Sequence, residues 1–305
     1  MSGKERAFIA GKARRMRELV VISGKGGTGK TSLTASFAVL AERPVVADCD
    51  VDAADLHLVL SPVVKERHDF WSGRQAVIRE ADCLDCGICL EYCRFDAVRR
   101  IETAAGRTVC TVDPTACEGC GVCVRFCPEH AIDFPEKRSG EWMASSTRCG
   151  PMVHARLATA AGNSGKLVST VRQEARRIAE GSGRSLVLVD GPPGIGCPVI
   201  ASVTGASLVL AVTEPTVSGE HDVERVLSLA RHFNVPTAIC VNKWDLDPEM
   251  TRRIEERASK AGARLAGRVR YDRGVTAAQL EQRAVVETDA PSAGDVRRVW
   301  ESLAL

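Results

Sequence analysis

The sequence predicts an α/β protein in which a mostly parallel sheet, covered by helices on both faces, is interrupted by a small α+β insert. Three observations carry that prediction. Short apolar runs at 19–22, 45–47, 185–189, 208–212 and 237–241 recur with longer helical stretches between them, the pattern of parallel strands buried on both faces. The first run passes without a gap into Gly24-Lys25-Gly26-Gly27-Thr28-Gly29-Lys30-Thr31. Eight cysteines between 83 and 127 form two matching blocks that belong to no sheet pattern.

The bulk properties bound the function. A chain of 305 residues with 45% apolar content can build a full core. A formal charge of +2 gives no reason to expect nucleic acid or a membrane as the main partner. No apolar run is long enough to cross a bilayer, and residues 1–17 lack the apolar centre of a signal peptide, so a cytoplasmic location is expected. Those first residues carry Lys4, Arg6, Lys12, Arg14, Arg15 and Arg17, and read as a basic arm that is either solvated or touches an acidic partner. In that compartment thirteen cysteines in clusters read as metal ligands rather than disulfides.

The loop at 24–31 follows G-x-x-x-x-G-K-T, with a strand before it and a helix at 33–40 after it. Its glycines let backbone N–H groups close on phosphates. Lys30 reaches the outer phosphates, Thr31 offers a hydroxyl to Mg²⁺, and Ser32 continues the cradle, so the expected ligand is ATP with Mg²⁺. Lys25 adds a second positive charge that an ordinary phosphate loop does not need. The run at 45–47 ends in Asp48-Cys49-Asp50, placing two carboxylates where open α/β sheets bind ligands. The run at 185–189 ends in Asp190, placed to hold the water shell of Mg²⁺, and is followed by Gly191-Pro192-Pro193-Gly194, which reads as a turn. His221 reads as a helix-start surface residue, and 275–283 and 293–305 as closing helices.

The cysteine blocks repeat each other. Cys83, Cys86, Cys89 and Cys93 recur 34 positions on as Cys117, Cys120, Cys123 and Cys127, with Gly87 and Gly121 at the same place in each. Between them 98–101 and 107–112 alternate around Ala105-Gly106 as a hairpin, with Cys110 expected as a packing residue. Arg94 stands where the second block has Pro128, which loosens the turn after Cys93. The insert spans 65–141, leaving 18–64 and 142–305 as the α/β domain.

Lys25 within the loop and Asp48-x-Asp50 on the next strand resemble the deviant Walker A ATPases of the MinD, ParA and Mrp group. The resemblance implies an ATP-dependent homodimer. In it Lys25 reaches the partner subunit's nucleotide, Asp50 orders the attacking water with Asp48 in support, the 191–194 segment switches, and Asn242 contacts the adenine. Arg268–Asp272 is similar to the loop that covers the base, with Arg270 where proline is usual. The cysteine repeat resembles a bacterial two-cluster ferredoxin. That implies two 4Fe-4S clusters, one on Cys83, Cys86, Cys89 and Cys127 and the other on Cys117, Cys120, Cys123 and Cys93. Two zinc sites would have no use for crossed fourth ligands. The expected function is an ATP-hydrolysing switch that gates electron transfer to a redox partner protein. The alternatives are delivery of a cluster or metal to an apo-metalloprotein, and a positioning ATPase whose clusters sense redox state.

Overall fold

The computed structural model describes residues 16–158, 161–162 and 164–304; the basic arm, apart from Met16 and Arg17, lies outside them. In chain order the α/β part begins with β1 (Arg17–Ser23), α1 (Lys30–Leu40), β2 (Val45–Asp48) and α2 (Leu56–Leu60). Next come β3 (Val63–Arg74), β4 (Val77–Ile78), α3 (Ile88–Glu91), β5 (Val98–Glu102), β6 (Thr108–Val112), α4 (Val122–Phe126), β7 (Ile132–Asp133) and β8 (Glu136–Thr147). The chain then returns through β9 (Gly150–Leu157), α5 (Ser164–Gly181), β10 (Leu186–Pro193), α6 (Cys197–Val203), β11 (Leu208–Thr213) and α7 (Val217–His232). It closes with β12 (Thr237–Asn242), α8 (Pro248–Lys260), β13 (Arg264–Val269), α9 (Gly274–Leu280) and α10 (Pro291–Leu303).

One nine-stranded sheet runs β13-β12-β11-β1-β10-β2-β9-β8-β3. The first seven are parallel; β8 is antiparallel to β9, and β3, at the edge, is antiparallel to β8. Alternation along β1 sends Val20 and Ile22 into the apolar layer under α5 to α8, and Leu19 and Val21 into the layer under α1, α2 and α10. All four are fully buried, as a strand covered on both faces requires. No helix among the described residues is long and apolar enough to cross a membrane.

Two local expectations need correction. Residues 191–193 do not turn away after Asp190; they remain in β10, because Gly191 lies flat against the Ile22 side chain and the Gly194 N–H donates to the Ser23 carbonyl at 2.8 Å. The helix expected over 275–283 stops at Leu280, where Glu281 and Arg283 N–H groups return to Ala277 and Ala278 carbonyls. The sequence pattern also missed the β3–β8 ribbon. Its outer part pairs only with itself, from Trp71↔Arg138 to Arg74↔Glu136, while 140–147 of β8 pair with β9.

The inner end of that addition carries a titratable group. His154 on β9 is opposite Asp48 of β2, is buried, and shares a hydrogen bond of 2.8 Å with the Ser145 hydroxyl. Burial, with His57 and Arg67 nearby, lowers its pKa to about 4. An unfolded chain takes up this proton near its ordinary value of 6.5, whereas the folded chain resists it until about 4. Stability is therefore full above pH 6.5 and falls as pH drops through that window, by about 3 kcal/mol for this group. In denaturant titrations the unfolding free energy of wild type should fall between pH 7 and 4 by about 3 kcal/mol more than that of His154→Gln.

Candidate functional site

The phosphate loop is shaped by close approaches. A Cβ on Gly24 would lie 2.2 Å from the Asp222 Cβ of α7, and one on Gly29 would lie 2.3 Å from the Asn242 Nδ2. Gly27 and Gly29 take φ of 78° and 87°, a left-handed backbone suited to glycine. Among the described residues the N–H groups of 26–30 donate to no protein acceptor, and α1 starts at Lys30 without a side-chain cap. A row of free donors at a helix N-terminus is what a phosphate chain requires. The buried Thr28 hydroxyl also lacks a partner. The chemistry of these donors fits ATP.

Beneath the loop, the ends of β2 and β10 bring three carboxylates to one ammonium. Lys30 Nζ lies 3.0 Å from Asp190 Oδ1 and 3.3 Å from Asp50 Oδ2. Thr31 donates to Asp190 Oδ2 at 2.7 Å, and Thr34 to Asp190 Oδ1 at 3.0 Å. Burial would lower the Lys30 pKa, but Asp190 and Asp50 outweigh it and hold the ammonium above its ordinary value. Burial raises the Asp50 carboxyl, against the pull of Lys30. Asp48 is fully buried, accepts the Asp50 N–H at 3.2 Å, and leaves Oδ2 unpartnered; burial and then Asp190 push its pKa well up. One ammonium thus serves a cluster of three carboxyl groups, of which burial raises Asp48 and Asp50. Thr31 and Asp190, the residues expected at Mg²⁺, are in direct contact.

Lys25 points elsewhere. Its Nζ lies 2.6 Å from Glu214 Oε1, 3.0 Å from Ser218 Oγ and 3.4 Å from Thr216 Oγ1, so it is held within its own chain. Glu214 also pairs with Lys243 at 3.0 Å, and Lys243 donates to the Gly27 carbonyl at 3.1 Å. Burial would raise Glu214, but both lysines draw its pKa below the ordinary carboxylate range. Sequence reasoning missed Glu214 and Lys243. The one available signal was Glu214's place at the carboxyl end of a parallel strand. Asn242 donates to the Thr28 carbonyl at 2.8 Å and lines a cavity with Gly29, Arg270, Tyr271 and Gln279. Arg270 is tied back to Asp295 at 2.6 Å, and Gln279 donates to Ser32 Oγ at 2.8 Å.

In the cysteine-rich insert the 34-residue repeat is a repeat of backbone conformation. Left-handed residues recur at Asp85 and Gly119, Gly87 and Gly121, and Asp96 and His130. The strand pairs exchange in the same way: Val98↔Val112 in β5–β6 corresponds to Ile132↔Ile78 in β7–β4. Each fourth cysteine accepts an N–H four residues on, Ala97 to Cys93 and Ala131 to Cys127, both at 3.3 Å. Arg94 therefore leaves the first turn as tight as the one that holds Pro128. Cys83, Cys86, Cys89 and Cys127 line one cavity, and Cys123 has Cys117, Cys120 and Cys93 around it. No two cysteines form a disulfide, and among the described residues no three His, Cys, Asp or Glu converge on a single-ion site. That spacing, with amides aimed at sulfur, fits a body of several atoms better than one zinc ion. Cys110, expected as mere packing, faces the first of these cavities.

Residues 76–134 match the 4Fe-4S dicluster domain family. The chain is 34% identical over 234 residues to uncharacterized protein MJ0578 of Methanocaldococcus jannaschii, covering 74% of this chain and 78% of the relative. Among solved structures it is similar to the septum site-determining protein MinD of Pyrococcus horikoshii complexed with Mg-ADP. That match has a TM-score of 0.56 and 17% identity, and covers 94% of this chain and 96% of the other. A ParA family ATPase from Chlorobium tepidum matches with a TM-score of 0.51 and 16% identity, over 95% of this chain and all of the other. Phosphate loop, strand order and cysteine repeat together place the chain in the family of MJ0578, with a MinD/ParA-type P-loop fold carrying an inserted 4Fe-4S dicluster domain.

Proposed function

We propose that this protein is an ATP-hydrolysing switch whose opening and closing as a homodimer gates electron transfer through two 4Fe-4S clusters. Residues 18–64 and 142–305 serve as the nucleotide-driven part and 65–141 as the iron–sulfur insert, with β3 and β8 shared between them. Lys30 binds the outer phosphates, Thr31 and Asp190 hold Mg²⁺, Asp50 orients the attacking water, and Asn242 contacts the base. ATP competes for Lys30 against Asp50 and Asp190, and Lys25 leaves Glu214 to reach the partner subunit's nucleotide. When bound, the clusters supply one-electron chemistry at potentials set by their ligands and the hydrogen bonds to sulfur.

The observation that carries the coupling is a continuous ladder. Asp48 at the end of β2 is paired with His154 of β9, His154 with Met143 of β8, and Met143 with Arg67 of β3, whose far end enters the cysteine-rich insert. A shift at the carboxylates thus has a hydrogen-bonded route to the cluster unit. Of the five cysteines outside the repeat, Cys49, Cys110 and Cys240 are buried and Cys149 is half-buried, so a cluster-delivery role would have Cys197 as its one exposed thiol there. Anaerobic potentiometry with EPR, run with Mg-ATP and with Mg-ADP, is the test. The expected result is a nucleotide-dependent change in cluster potential or in the rate of electron transfer to a dye acceptor. Identical potentials and identical rates in the two nucleotides would sink the proposal.

A further inference from the structure

Cys110 lies in β6, outside both cysteine blocks, yet it is 1% exposed and lines the cavity formed by Cys83, Cys86, Cys89 and Cys127. Its backbone N–H donates to Cys83 Sγ at 3.5 Å, its thiol sits in the same apolar cluster as Cys89, and its sulfur lies 3.8 Å from Asp85 Oδ1. The first thiol set is therefore a five-thiol pocket. The second is not. Under the 34-residue exchange that relates the strand pairs, the position of Cys110 corresponds to Ala76, which is equally buried but has only a methyl group.

We propose that Cys110 is a reserve ligand of the first cluster site, able to take the place of Cys89. The inference rests on the reading of these cysteines as 4Fe-4S ligands. In the exchange Cys110 replaces Cys89 as the thiolate ligand, the Cys89 iron–sulfur bond breaking as the Cys110 one forms, and the Cys110 proton passes to the departing Cys89 thiolate, which shares a hydrogen bond with it. No electron changes hands, so no oxidant or reductant is needed. The site keeps four protein sulfurs from Cys83, Cys86, Cys127 and Cys110. The second site has no such recourse, because Ala76 offers no donor. The two sites therefore differ in resistance to loss of a ligand although their loops repeat each other.

The test compares anaerobically reconstituted full-length wild type, Cys89→Ala, Cys89→Ala/Cys110→Ala and Cys123→Ala by iron and sulfide content, EPR and Mössbauer spectra. Wild type and Cys89→Ala are expected to hold the same iron. The double variant and Cys123→Ala are expected to lose about half of it or to show a three-iron signal. Equal losses in Cys89→Ala and the double variant would overturn the reserve role. A wild type that takes up no clusters would overturn the ligand reading itself, an outcome distinct from the former. Should Cys89→Ala not fold, Cys89→Val, which fills the same apolar cluster, compared with and without Cys110→Ala, decides between the same results.

Discussion

Replacing Lys30 with alanine is expected to reduce ATP hydrolysis by more than roughly 10²-fold while leaving iron content and EPR signals at wild-type levels. Lys30 is 6% exposed and is the ammonium in direct contact with Asp50 and Asp190, so no solvent-borne cation replaces its reach to the outer phosphates. Its removal also leaves a pair of buried carboxylates without their counter-charge, which costs about 3 kcal/mol at neutral pH. The loss is offset in part where Asp50, whose carboxyl burial already raises, takes up a proton as the pH falls. Steady-state phosphate release, iron analysis and chemical denaturation together check the prediction. Iron lost along with hydrolysis would show that the nucleotide site and the cysteine-rich insert do not fold independently.

The Lys25→Ala variant should bind ATP about as well as wild type, remain monomeric in its presence, and hydrolyse it roughly 10²–10³-fold more slowly. The reason is geometric. Lys25 Nζ is held by Glu214, Ser218 and Thr216 on its own chain, at 2.6, 3.0 and 3.4 Å, and must leave them to act on another subunit. Its side chain is 31% exposed, so release costs only about 1 kcal/mol, a cost that dimer contacts can meet. Glu214→Gln lowers that cost and should tighten ATP-dependent association by about fivefold for each lysine released. Analytical ultracentrifugation with a non-hydrolysable ATP analogue reads both variants. Undiminished ATP-dependent dimers in Lys25→Ala would rule out the trans role.

Much of the site was legible because its signals are local. A glycine loop after a buried strand, carboxylates at strand ends and a 34-residue cysteine repeat each lie within one stretch of chain. What remained hidden depends on strand neighbours. Glu214 acquires its role only because β11 pairs with β1, which sets the end of one strand beside the loop that follows the other. Cys110 reaches the first cavity because the two halves of the insert exchange strands, so its distance from Cys89 along the chain says nothing of their contact. The β3–β8 ribbon escaped notice for a different reason. Most of β3 is solvated on both faces, so it lacks the apolar alternation by which a strand is recognised. The Gly-Pro-Pro-Gly segment reads as a turn by composition, and stays extended because β1 supplies a carbonyl for the Gly194 N–H.

The charged face of β3 also bears on how two copies can meet. This strand ends the sheet, and its open side presents backbone groups that could seed a ladder with another chain. The consecutive Lys65, Glu66, Arg67, His68 and Asp69 make that edge a poor template, since lateral pairing would strip water from side chains of both signs. Sheets therefore resist joining end to end into an open filament, and encounter between copies is left to surfaces whose contacts close on themselves.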